Sequence, residues 1–184
     1  MIEPQGRAYL DRIQEILIDE ETLQARIDAL GAQINGDYRG ASDLILVCVL
    51  KGGVMFLTDL MKRIHVPHAI EFMAVSSYGT GARETSGVVR IDYDLKQNIE
   101  GKHLLIVEDI IDTGTTLSYL KRLLEARQPA SIKICTLLNK QERRLVDIPV
   151  DYVGFNIPDK FVFGYGLDLD EHYRNLPFVA VVKL

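Results

Sequence analysis

"LLIVEDIIDTGTTL", residues 104–117, decides how the rest of the chain is read. It opens on four apolar residues, Leu104 to Val107, as a strand covered on both faces does. Glu108, Asp109 and Asp112 then follow within five positions, and no Lys or Arg in the stretch balances them. Carboxylates are rarely buried unless paired or ligated, because removing the ion from water is costly. After Asp112-Thr113-Gly114-Thr115-Thr116, the residues Leu117, Leu120, Leu123 and Leu124 recur at helical spacing. Strand, acidic end, small-residue turn and amphipathic helix together make a βα unit. In open α/β sheets ligands lie beyond the carboxyl ends of the strands, and Glu108 and Asp109 are expected at such an end, directly after Leu104 to Val107.

A turn of hydroxyl residues and Gly at a helix N-terminus presents unpaired backbone N–H groups and a favourable dipole to a phosphate. Two neighbouring acids can accept hydrogen bonds from vicinal sugar hydroxyls or hold Mg²⁺. An anion hole beside an acid pair is what a ribose 5-phosphate requires. The plainer alternative is a well-capped βα junction, with Asp112 or Thr113 as the cap. No G-x-x-x-x-G-K-[ST] stands anywhere, and no G-x-G-x-x-G follows a strand.

Outward from this stretch, strand and helix patterns alternate. Ile13 to Ile18 reads as a strand, and Asp19 as the N-cap of a helix whose apolar face is Leu23, Ile27, Leu30 and Ile34, running out near Asn35-Gly36. Leu44 to Leu50 is uniformly apolar, and Lys51-Gly52-Gly53 breaks it. Val54, Leu57, Leu60, Met61 and Ile64 then trace a helix face. Ala69 to Ser76, Ser131 to Leu138 and Asp151 to Phe155 complete the strands. The expected fold is α/β with a mainly parallel sheet flanked by helices. Residues 77–90, rich in Gly, Ser and Thr, read as a mobile loop of the kind used as lids. From Asn156 onward, Pro158, Gly164, Gly166 and Pro177 interrupt the pattern, and that part reads as a small cap. The expectation is one domain over 1–184, with a core at about 35–155 and a hood made by about 156–184 with the N-terminal segment.

The bulk properties suit this reading. The 184 residues suffice for one domain with a real core. A formal net charge of −5 provides no basic field to gather nucleic acid. The N-terminus has no apolar signal core and no apolar run is long enough to span a bilayer, so a cytoplasmic protein is expected, without nucleic-acid or membrane partners. Cys48 and Cys135 sit inside apolar runs as core residues, and the four histidines show no metal-ligand spacing.

"VEDIIDTGTT" at 107–116 resembles the phosphoribosyl-pyrophosphate motif of type I phosphoribosyltransferases, and in detail that of the hypoxanthine-guanine branch of bacterial type. "LKGG" at 50–53 resembles the pyrophosphate loop of that family, and "SSY" at 76–78 the start of its flexible catalytic loop. "LLNK" at 137–140 and "IPDKFVFGYGLD" at 157–168 resemble its purine-binding segments, and "YRNLP" at 173–177 its pyrophosphate-contacting region. The likeness runs from about residue 13 to the C-terminus.

The resemblance implies transfer of ribose 5-phosphate from phosphoribosyl pyrophosphate to a 6-oxopurine, with Mg²⁺. It implies Asp112 as general base at the purine's imidazole edge. Glu108 and Asp109 would engage the ribose hydroxyls and metal, with Asp168 a further metal-contacting carboxylate. Thr113, Gly114, Thr115 and Thr116 would hold the 5′-phosphate. Lys140 would read the exocyclic oxygen, with Lys160 a second donor, Phe161 a stacking face and Val162 a backbone reader. Lys51, Gly52 and Arg174 would hold pyrophosphate, and Ser77 and Tyr78 belong to the catalytic loop. A non-proline cis peptide at Leu50–Lys51 and a homodimer or homotetramer are also implied. Thr115 stands where some relatives carry Lys, and Asn139 where many carry an apolar or acidic residue. Three other functions compete: a xanthine-guanine enzyme, an RNA-binding regulator on the same fold, and a structural or partner-binding module. The last leaves the carboxylate cluster unexplained.

Overall fold

A computed structural model describes residues 9–77 and 89–183. The main sheet has six strands in the order β4-β3-β2-β5-β6-β7, formed by Val89–Tyr93, His68–Ser77, Leu44–Leu50, His103–Ile111, Ser131–Asn139 and Tyr152–Asn156. All neighbours are parallel except β3 and β4. Helices α1 (Glu20–Asp37), α2 (Val54–Met61) and α3 (Thr115–Glu125) supply the layers.

The uniform apolarity of β2 has a direct cause. Leu44, Leu46 and Cys48 join one core with Leu23, Ile27, Leu30 and Ile34 of α1 and Phe56, Leu57 and Leu60 of α2. Ile45, Val47 and Val49 face the other way, into a second core with Leu117, Leu120 and Leu124 of α3. A strand buried on both faces has no position that tolerates a polar side chain. Asp19 caps α1 by accepting from the Thr22 N–H at 2.8 Å. Both cysteines are free and buried, and burial pushes the Cys48 thiol up to about 12.

The sequence pattern errs in two places that matter. Phe56, not Val54, turns into the core beneath α2, while Val54 is exposed and Ile64 lies beyond the helix end. More consequentially, β5 does not stop at Val107. Its ladder with β6 continues through Glu108↔Thr136, Ile110↔Leu138 and Ile111↔Asn139, so Glu108 and Asp109 lie inside the strand. Pairing with a neighbour, which the chain's own residues do not announce, overrides their poor strand propensity.

A second, antiparallel sheet of order β1-β9-β8 is built from Ile13–Ile18, Val179–Val182 and Val162–Phe163. Its apolar residues Phe163, Ala180 and Val182 pack with Leu176, while Ile18, Val162, Val179 and Val181 reach into the core over α1. The turns before β9 carry positive φ at Tyr165, Asp170, Glu171 and Tyr173. Tyr165 donates to Asp59 of α2 at 2.7 Å and ties this sheet to the main body. A Cβ on Gly166 (φ +97°) would overlap the Gly52 carbonyl, so the two backbones touch there.

Candidate active site

β2 pairs with β3 on one side and β5 on the other, so the direction of winding reverses between β2 and β5. The carboxyl ends of two such strands part their loops and leave a crevice, where α/β folds bind ligands. A cleft of about 350 Å³ lies there. Ten of the residues singled out in the sequence line it: Lys51, Gly52, Glu108, Asp109, Asp112, Thr113, Gly114, Thr116, Asp168 and Arg174.

Its floor is the acid pair. Glu108 is 9% exposed, and burial with the Asp109 charge beside it pushes its carboxyl well up. Burial also pushes Asp109 up, to about 6, against the pull of the Ile110 N–H and the Arg174 guanidinium. Asp109 presses so closely on the Lys51-Gly52 turn that a Cβ on Gly52 would overlap its carboxylate. That turn follows a cis peptide at Leu50–Lys51, as the resemblance implies.

One wall is the turn into α3. Gly114 is the residue before the helix, at φ +81°, and has no side chain to cap it. The Thr113 hydroxyl accepts from the N–H of Thr115, the first residue of the helix, at 3.4 Å, while Asp112 makes no such bond, so the capping role falls to Thr113 and not to the acid. Thr113 and Thr115 hydroxyls lie 3.2 Å apart, and the Thr113 carbonyl accepts from the Leu145 and Val146 N–H groups at 3.0 and 3.2 Å. The opposite wall is polar. Arg174 pairs with Asp168 at 2.9 Å and donates to the Gly166 carbonyl at 2.8 Å, while Lys51 reaches Glu171 at 2.8 Å.

The purine-segment residues do not line this cleft. Lys140 leaves the end of β6 with its side chain 8% exposed and its Nζ 3.4 Å from Asp159. Val162 is buried in β8, and Phe161 is 59% exposed, an open aromatic face. The Lys160 ammonium meets the Glu15 carboxylate on β1. Ser77 ends β3 and its side chain lies outside the described residues, as do Tyr78 and most of the 77–90 loop.

Two residues that the sequence reading passed over join the site. Arg143 donates to Asp112 at 3.0 Å and to Asp159 at 3.4 Å, and so links the acid to the carboxylate that faces Lys140. Arg144 lies against Gly114. Both follow Lys140 in a segment without hydrophobic period, where charged residues ordinarily signify only a solvated surface.

The donors at the floor are all carboxylate oxygens, which suits a hard divalent ion. Among the described residues no three Asp, Glu, His or Cys side chains converge as a ready-made metal site. Glu108, Asp109 and Asp168 therefore share a cleft without forming a cage by themselves.

Comparison with known proteins agrees with the geometry. A family model described as "Phosphoribosyl transferase domain" matches residues 14–172. A hypoxanthine-guanine phosphoribosyltransferase of Mycobacterium tuberculosis is 50% identical over 179 residues, 95% of this chain and 88% of that protein. A hypoxanthine phosphoribosyltransferase of Salmonella typhimurium is 50% identical over 171 residues, 92% of this chain and 96% of that one. The crystal structure of a hypoxanthine phosphoribosyltransferase from Staphylococcus aureus superposes with a TM-score of 0.92 at 47% identity, covering 97% of this chain and 96% of the other.

Proposed function

The chain belongs to the phosphoribosyltransferase domain family, and on that premise we propose that it transfers the 5-phosphoribosyl group of phosphoribosyl pyrophosphate to hypoxanthine, and to guanine, in purine salvage. The observation that carries this is the meeting of a buried acid pair with the α3 turn at the β2/β5 crevice.

Thr113, Gly114, Thr115 and Thr116 hold the 5′-phosphate with backbone N–H groups and hydroxyls. Glu108 and Asp109 accept from the ribose hydroxyls. Mg²⁺ would be held by Glu108, Asp109 and Asp168 together with substrate oxygens, and supplies charge neutralisation for the departing pyrophosphate. Lys51, the Gly52 backbone and Arg174 bind that pyrophosphate, which requires Lys51 and Arg174 to exchange their present carboxylate partners for the more highly charged ligand.

The purine stacks on Phe161, a contact worth about 1–3 kcal/mol at nucleobase sites. The Val162 backbone meets its pyrimidine edge. As the bond from the anomeric carbon to a ring nitrogen forms, the carbon–oxygen bond to pyrophosphate breaks. The proton of the imidazole edge then passes to Asp112. In this reading the Arg143 guanidinium occupies one carboxylate oxygen of Asp112 and leaves the other for the ring. The enzyme works as a homodimer or homotetramer.

Lys140 donates to the 6-oxygen of the base. An amino group there would present N–H to a buried ammonium, so adenine is refused. Lys140→Gln keeps a donor and loses the charge. Hypoxanthine kcat/KM is expected to fall roughly 10–100-fold, the range of a hydrogen bond to a charged group, and discrimination against adenine to narrow. Steady-state assays with both bases check this, and unchanged turnover and selectivity remove Lys140 from the role. For the function itself, hypoxanthine, guanine, xanthine and adenine are offered separately with phosphoribosyl pyrophosphate and Mg²⁺. Turnover is expected with the first two. Xanthine as the preferred base turns the reading to the xanthine-guanine type, and no base-dependent turnover defeats it.

A further inference from the structure

A guanidinium lies against the phosphate-binding turn, and no step of the proposed reaction employs it. Arg144 follows the helical turn Gln141–Arg143, and its side chain runs beneath Gly114. A Cβ on that glycine would meet Arg144 Cδ at 3.0 Å and Nη1 at 3.3 Å. Arg144 Nη2 donates to the Asn139 side-chain oxygen. Its Nη1 is sealed from solvent and has no protein acceptor. Backbone bonds from Leu145 and Val146 to the Thr113 carbonyl fasten this segment to the turn, so the guanidinium is held in place there.

The local charge is out of balance. Arginine stays ionised in proteins; Arg144 is half-buried with its Nη1 shielded from water, and a guanidinium partly withdrawn from water favours a nearby counter-ion. Among the described residues Arg144 forms no ion pair. Its neighbour Arg143 takes both Asp112 and Asp159. Asp112 and Asp147 act on Arg144 only from a distance, and burial is the larger influence, pushing the guanidinium down. On the other side of the turn, Thr113, Gly114, Thr115 and Thr116 carry no formal charge with which to meet a phosphate dianion.

We propose that the missing counter-ion of Arg144 is the 5′-phosphate of the sugar substrate, on the opposite side of the Gly114 backbone. Arg144 is a positioning residue: it does not touch the phosphate, but it supplies the full positive charge behind a cradle made only of amides and hydroxyls. This rests on the phosphoribosyl-transfer reading above. It also explains the Asn139 side chain, which fixes the guanidinium from behind as a neutral acceptor and leaves its charge uncancelled.

Calorimetric titration with ribose 5-phosphate tests this, with ribose as the uncharged control, on the native protein, Arg144→Met, Arg144→Lys and the double variant Arg144→Met/Thr115→Lys. Across one turn of partly buried backbone, a charge pair of this kind is worth roughly a tenfold change in affinity. Arg144→Met is expected to bind ribose 5-phosphate about tenfold more weakly, and Arg144→Lys to stay within about threefold of native, by that same charge argument. Thr115→Lys places a cation at the same turn and is expected to restore most of the loss, which no repair of packing would do. In the native protein, the Arg144 guanidinium ¹⁵N–¹H signal is expected to shift with ribose 5-phosphate and not with ribose. That measurement stands even if Arg144→Met does not fold. Unchanged affinity in Arg144→Met, a loss that Thr115→Lys leaves in place, or an unmoved guanidinium signal overturns this inference alone. A native protein that ignores ribose 5-phosphate overturns it together with the reading on which it rests.

Discussion

Asp112→Asn is expected to lower kcat by about 10²–10⁴-fold, the usual contribution of general-base catalysis, while the protein folds and melts much as the native one does. The amide keeps the shape of the carboxylate but cannot take a proton. Little stability is at stake: Asp112 caps no helix, and its ion pair with Arg143 is between side chains 41% and 49% exposed, a kind of pair worth at most about 1 kcal/mol. Affinity for phosphoribosyl pyrophosphate should be near native, because the group faces the purine and not the sugar. Single-turnover and equilibrium-binding measurements separate the two effects. A fall in kcat of less than about tenfold, well short of the roughly 10²-fold at which general-base contributions usually begin, would remove Asp112 from the proton transfer.

The second large effect has opposite signs in stability and in binding. The carboxyls of Glu108 and Asp109 are raised in the folded protein, well above the ordinary glutamate value for Glu108 and to about 6 for Asp109. Between those values the folded protein holds protons that the unfolded chain has released. The free protein therefore loses stability as pH rises from about 4 through 6, and beyond that for Glu108. Glu108→Gln removes the buried ionisable group and is expected to raise the melting temperature of the ligand-free protein at pH 7.5, by roughly 2–4 °C for each kcal/mol relieved in a chain of this size. At pH 4.5 the difference should shrink. The same change should weaken ribose and metal binding and raise the Mg²⁺ requirement, as should Asp109→Asn. Native binding of Mg²⁺ with phosphoribosyl pyrophosphate is expected to weaken as pH falls through about 6, because protons compete for the Asp109 carboxylate. Melting curves at the two pH values decide the matter. A Glu108→Gln protein less stable than native at pH 7.5 would mean that the acid pair supports the fold instead of burdening it.

Such a burden is characteristic of a functional site, where local consistency gives way to chemistry. It also explains what was legible beforehand. The β2 run Leu44–Leu50 and the periodic faces of α1 and α3 follow from burial alone, and burial has a clear period. The end of β5 does not, because Glu108 and Asp109 read as a strand stop while the backbone continues pairing with Thr136 and Leu138. The β1-β9-β8 sheet joins residues more than 160 positions apart through turns with positive φ at non-glycine residues, for which the chain offers no local signal. The acid pair and the α3 turn were recognisable because both lie within fourteen residues. The pairing of Lys160 with Glu15 could not be read from the chain, because the two lie 145 positions apart. Arg143 and Arg144 went unseen because an Arg beside Lys140 is ordinary in sequence and significant only next to Asp112 and Gly114.

In the proposed reaction the cleft between β2 and β5 moves a phosphoribosyl group to a purine. The most direct test follows the native protein by ³¹P spectroscopy with phosphoribosyl pyrophosphate, Mg²⁺ and hypoxanthine. Phosphoribosyl pyrophosphate is expected to be lost in step with the gain of one equivalent each of IMP and pyrophosphate, and only when the base is present. Phosphoribosyl pyrophosphate that persists in the presence of hypoxanthine and guanine, or that decays at the same rate without a base, would contradict it.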